Sequence, residues 1–157
     1  NLRACSYYDH FQKPKIIYPE TTVRRSEFFI DNEGFFIDKT CFMITGENLE
    51  YINAILCSKL VEWYLESELR LLGKNSIQYS KQFIELAPIR ELQIMEQQPF
   101  IELVNQILTN KKENGDTTDL EKQIDIMVYK LYELDYEEVL IVEPEFKLSK
   151  KEYETFK

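Results

Sequence analysis

The chain has 157 residues, of which 44% are hydrophobic and 30% charged, and its net charge is −9. That balance excludes a largely disordered chain and gives one domain, or one lobe with an appendage, enough apolar surface for its own core. No run approaches the roughly 18 apolar residues of a membrane span, no charged-then-apolar signal pattern is read at the start, and with Asn1 in place of Met the sequence is expected to be a fragment or a processed chain.

Residues 1–12 show no clean period and read as a lead-in from a preceding domain. "KIIYPE", from Lys15, predicts a short strand ended by Pro19. "EFFIDNEGFFID" sets two aromatic runs around Asp31-Asn32-Glu33-Gly34, which predicts a hairpin with Gly34 at positive φ. "TCFMIT" at 40–45 is a third strand, closed by Gly46. The period then changes. Leu49, Ile52, Ile55, Leu56, Leu60, Trp63 and Tyr64 recur at helical spacing, so one long helix is expected from about Asn48 to Leu72 at most, stopped by Gly73. "SKQFIEL" predicts a short helix ended by Pro88.

Pro99 suits a first helical turn. Phe100, Leu103, Val104, Ile107 and Leu108 follow on one face. After a polar turn at Gly115, Thr118 and Glu121 form a capping-box pattern ahead of Leu120, Ile124, Met127, Val128, Leu131 and Tyr132. "DYEEVLIVE" is a final helical turn or a short helix, and the charged tail 143–157 is expected to be frayed or weakly docked. The fold class is therefore α+β: a small antiparallel or mixed β-rich core with a long helix, followed by a C-terminal helical hairpin. The expected division is lead-in 1–12, core 13–98, helical hairpin 99–142 packed on the core, and tail 143–157.

The chemistry of an enzyme is hard to find in these residues. His10 is alone, and Cys5, Cys41 and Cys57 are too scattered for a zinc site, so they read as free thiols in a reducing cytoplasm. No glycine-rich phosphate loop and no Gly-x-Ser-x-Gly appear. "EPEFK" at 143–147 holds a Glu-x-Lys of the kind seen in nucleases, a match short enough to arise by chance in so charged a segment. The fragment is expected to be non-catalytic, with no metal.

Charge is unevenly spread. Residues 1–82 hold ten Lys/Arg against eleven Asp/Glu, while 83–157 hold nine against seventeen. Lys13, Lys15, Arg24 and Arg25 cluster in "HFQKPKIIYPETTVRRS" beside one glutamate, and Arg70, Lys74 and Lys81 lie in a window with no acid through Gln82. Phosphate responds to local potential more than to the total. Asn75, Ser76, Gln78, Tyr79 and Gln82 add the side-chain types that serve base edges and sugars.

The blocks "KPKIIYPE", "FFIDNEGFFIDKTCFMITG", "LEYINAILCSKLVEWYL", "SIQYSKQFIELAPI", "PFIELVNQIL" and "LEKQIDIMVYKLYEL", in this order over about residues 11–142, resemble the TaqI-like C-terminal specificity domain. That domain ends many adenine-specific DNA methyltransferases of restriction-modification systems, including fused type IIG methylase-endonucleases. The phrase Tyr79 to Ile89 has a shape shared with type I recognition subunits. The resemblance implies a target recognition domain that grips double-stranded DNA. It also implies an upstream methyltransferase domain of the same chain that holds S-adenosylmethionine and the catalytic motif, in a cytoplasmic protein with no membrane contact. The phosphate candidates are then Lys13, Lys15, Arg24, Arg25, Arg70, Lys74 and Lys81. Those for base or sugar contacts are Asn75, Ser76, Gln78, Tyr79 and Gln82. The alternative reading is a protein-interaction module that uses the amphipathic C-terminal helices.

Overall fold

A computed structural model describes residues 8–22, 27–68, 70–72, 76–79 and 81–156. A 3-10 turn (Tyr8–Gln12) leads into β1 (Lys15–Pro19), which is the centre of a three-stranded antiparallel sheet. β3 (Phe29–Asp31) pairs along one edge, with Ile16 opposite Ile30, and β4 (Cys41–Ile44) along the other, with Ile17 opposite Met43. The strand expectations at 15–19 and 40–45 hold, and Gly34 takes φ 82°.

The hairpin across 27–38 does not form. Its second arm makes no strand, and its first arm pairs with β1 instead. The reason is Asp31, whose carboxylate accepts the backbone N–H groups of Glu33 (2.8 Å), Gly34 (3.2 Å) and Phe35 (2.9 Å). Those amides are thereby turned back on the strand end and cannot enter a ladder.

The expected long helix is two helices. α1 (Leu49–Leu56) stops at Cys57, and α2 (Lys59–Glu68) begins two residues on. Ser58 causes the break: its hydroxyl donates to the Ile55 carbonyl at 2.7 Å, the local bond by which serine competes with the helix ladder. Asp125 then caps the new start, its Oδ1 accepting the Lys59 N–H at 2.9 Å. The end of the expected helix is also corrected, because Arg70–Leu72 is a strand, β5.

α3 (Lys81–Ile84) is the short helix expected ahead of Pro88. α4 (Ile94–Lys112) starts five residues before Pro99, because Glu96 accepts the Gln93 N–H at 2.9 Å and caps the helix there. α5 (Thr118–Leu131) is also capped one residue earlier than its sequence suggests, with Thr117 donating to Glu121 at 2.8 Å while the Thr118 hydroxyl bonds Asp116. α6 (Tyr136–Val142) and α7 (Lys150–Thr155) complete the chain.

The main core joins β1 to α1, α2, α4 and α5 through Ile16, Tyr18, Ile55, Val61, Phe100, Val104 and Val128. A second core forms around Ile126, Tyr129, Val139 and Tyr153, with Phe146 and Phe156 against it. The tail is therefore neither frayed nor weakly docked. Tyr153 is 1% exposed, and α7 carries a full capping box between Ser149 and Glu152. Glu143, at the start of the "EPEFK" stretch, has a structural role: it pairs with Lys59 and accepts the Tyr129 hydroxyl at 3.1 Å. No helix among the described residues is long and apolar enough to cross a membrane.

Asp125 makes this half of the molecule sensitive to pH. Burial pushes its carboxyl up to about 7, against the opposing pull of the Lys59 amide and ammonium and with the help of Glu143 and Glu62. The folded state therefore holds this proton more tightly than the unfolded chain does. Stability is greatest below the unfolded carboxyl value near 3.8 and declines as pH rises toward 7. Asp125→Asn, which keeps an acceptor for the Lys59 N–H, should flatten the decline between pH 5 and 8 in urea melts.

Candidate nucleic-acid interface

A second small sheet carries three of the residues singled out for DNA, Arg70, Ser76 and Gln78. β2 (Thr21–Thr22) continues from β1, β6 (Ser76–Gln78) lies at the centre, and β5 (Arg70–Leu72) closes the other side, all antiparallel. Thr21, Gln78 and Arg70 share one cross-strand row, and Thr22 pairs with Ile77. The two sheets are joined through Glu20, whose N–H donates to Thr40 (2.8 Å) and whose carbonyl accepts the Tyr79 N–H (2.9 Å).

This register sets two points of attachment at one end of the sheet. Antiparallel pairing of Thr22 with Ile77, and of Leu72 with Ser76, places the exit from β2 and the β5–β6 connection at the same end of the sheet. Residues 23–26 attach at the first and 73–75 at the second. Arg24, Arg25, Lys74 and Asn75 themselves lie outside the described residues. Arg70 and Ser76 are placed on the strands by their backbone. Gln78 is half-buried beside Thr21.

Lys81 and Gln82 are exposed at the start of α3. Lys81 reaches Glu85 at 3.4 Å, with both side chains largely in solvent; pairs of this kind are worth under about 1 kcal/mol, so a phosphate can take the lysine over. α3 packs against α2, and Glu85 follows it. Glu85 is near enough to Tyr18 to add to the burial that pushes that phenol up to about 12.

Three candidates fall elsewhere. Lys15 is 0% exposed and pairs with Asp31, while its ammonium also donates to the Phe11 carbonyl at 2.7 Å. A cation held this way does not reach a phosphate, so Lys15 is a structural residue. Tyr79 is also internal, 3% exposed and packed on Phe28 with ring centroids 5.6 Å apart. Lys13 is exposed but lies beyond the other end of β1, and a strand of that length runs about 13 Å. The first cationic window is therefore divided by β1 and is not one wall.

What sequence reasoning missed here is the sheet itself. Three strands of two or three residues leave no readable period, and Thr21, Thr22 and Ile77 are their only β-branched residues. Cys41 and Cys57 are unbridged thiols, with burial pushing Cys57 up to about 12.

The fold is a pair of small antiparallel sheets with helices packed on the first of them. Residues 1–89 match the family model of the TaqI-like C-terminal specificity domain. The match spans more than half of the 157 residues, and the chain belongs to that family. Its role is DNA recognition in a restriction-modification system. The match takes in residues 1–12, which had read as a lead-in, and it ends at Ile89. Helices α4 to α7 lie outside it, although the order of sequence blocks had carried the resemblance to 142.

Proposed function

We propose that the chain is the sequence-reading domain of an adenine-specific DNA methyltransferase, and that it holds duplex DNA at the end of the β2–β6–β5 sheet. The single observation that carries the placement is the strand register, which seats the attachments of 23–26 and 73–75 side by side. In this reading Arg24, Arg25, Lys74 and Lys81 hold phosphates, and Gln78 and Gln82 face base edges. Glutamine can take adenine bidentately through N6 and N7. An upstream methyltransferase domain of the same chain supplies S-adenosylmethionine and the chemistry, and the target adenine swings out of the stack to reach it. Whether a nuclease is fused as well does not alter the demands on this domain. It has to set register on one duplex and release others.

The test is selection from a random duplex library followed by salt titration of the enriched sequence. Lys81→Ala should weaken every duplex alike and lower the slope of log K against log salt by about 0.9. Gln78→Ala should relax choice at one base pair, a loss of about 1–3 kcal/mol for the correct base only. Unchanged salt slope and unchanged selectivity in both variants would place the DNA on another face.

A further inference from the structure

A separate cleft of about 470 Å³ opens between β3, α1, α4 and α5. Ile30, Ala54, Val104, Ile107 and Ile124 give it apolar walls, and Asp125 lies among them. The volume falls within the range of small-molecule sites, which pair such walls with a few converging polar groups. Asp125 is 7% exposed. Its Oδ1 is taken by the Lys59 N–H, and among the described residues Oδ2 accepts no hydrogen bond. Gln97 Oε1 is the one fully buried side-chain acceptor without a partner among the described residues, so Asp125 Oδ2 is not sealed in but is open to a donor that enters the cleft.

The charges around it decide the sign of that donor. Lys111 is paired with Glu121 at 2.9 Å, and Lys59 with Glu143. Glu62 contributes a further negative group to the wall, and the Tyr129 hydroxyl behind is engaged by Glu143. Around the cleft the acids Glu62, Glu121 and Asp125 outnumber the bases Lys59 and Lys111, so an ionised Asp125 favours a cation over an anion.

We infer that this cleft binds a small amphiphilic cation, an apolar ring or chain ending in an amidinium or ammonium that donates to Asp125 Oδ2. Such a ligand offsets the burial of the carboxylate and covers apolar wall. Because burial raises Asp125 to about 7, binding below that pH must also expel its proton. Affinity should rise from pH 6 to pH 8 by about tenfold and flatten above.

Benzamidine is the probe, titrated into the whole 157-residue chain and followed by amide chemical shifts and calorimetry. The expected result is saturable shifts at Ala54, Ile124 and Asp125, about tenfold tighter binding at pH 8 than at pH 6, and proton release at pH 6. Asp125→Asn should lose at least tenfold in affinity together with the pH dependence. Leu108→Trp, at the cleft wall, should block binding while the chain keeps its melting transition. Neutral benzamide should bind at least tenfold more weakly than benzamidine. The inference is overturned by an absence of cleft shifts at 10 mM benzamidine and pH 8, by equal affinity for benzamide, or by a folded Asp125→Asn that binds as the parent does.

Discussion

Lys15→Ala should cost the domain about 3–5 kcal/mol, the usual penalty for breaking a buried ion pair from one side, read as a fall in the urea midpoint at unchanged m-value. The lysine joins three parts of the chain. Its ammonium pairs with Asp31 at the end of β3 and holds the Phe11 carbonyl at the end of the 3-10 turn. Asp31 in turn caps the amides of Glu33, Gly34 and Phe35. Without the lysine, a carboxylate 6% exposed keeps its backbone donors but loses its counter-ion.

The pH dependence separates this account from a simple packing loss. Burial by itself raises the Asp31 carboxyl; the Lys15 hydrogen bond and charge, with the Glu33 and Phe35 amides, outweigh it and hold the group below the ordinary aspartate value. A lowered acid contributes stability above its unfolded pKa and loses it as pH falls through its folded one. Lys15→Met fills similar space without the charge and leaves burial less opposed, so the stability that Asp31 loses on acidification should shrink, and the gap between parent and variant should narrow as pH falls. A gap that stays constant as pH falls would show the pair to be electrostatically idle.

The same residue shows where sequence reading stops. Lys13 and Lys15 stand two apart on an extended segment, with the same sign and the same local company. Only the partner sixteen residues away separates a solvent lysine from an internal one. Asp31 was the available clue, an acid at the end of the apolar run "FFID". Tyr79 is a similar case, since in Ser76-Ile77-Gln78-Tyr79 the polar neighbours hid a ring that packs on Phe28. By contrast β1, β4 and the apolar face of α4 were legible, because each repeats one period long enough to be seen. The break at Ser58 was not, because the capping Asp125 comes from a distant helix. At the candidate interface the residue types were legible, but the register that aligns Thr21, Gln78 and Arg70 was not, because no local pattern carries it.

Tyr153→Ala should be the second severe change, at about 3–5 kcal/mol, the range for deleting a buried aromatic ring. The sequence around it, "KKEYETFK", is charged at five of its eight positions and offers no stripe to place it inside. Yet the ring packs against Phe146 (5.8 Å) and Tyr136 (6.2 Å), its hydroxyl donates to the Leu134 carbonyl at 2.7 Å, and the Lys130 ammonium lies 4.0 Å from the ring centre. Tyr153→Phe removes only the hydroxyl and should cost about 1 kcal/mol. The difference between the two variants measures the apolar share of this second core. Ile126 and Tyr129 leave α5 toward the tail while Ile124 and Val128 face the main core, so α5 is the common wall of both. Loss of Tyr153 should therefore lower the stability of the whole chain in one transition. If the tail melts separately and the main transition stays in place, α5 does not couple the two cores. Duplex affinity measured on the folded fraction should stay at the parent value, since no described residue of the β2–β6–β5 sheet belongs to the second core around Tyr153.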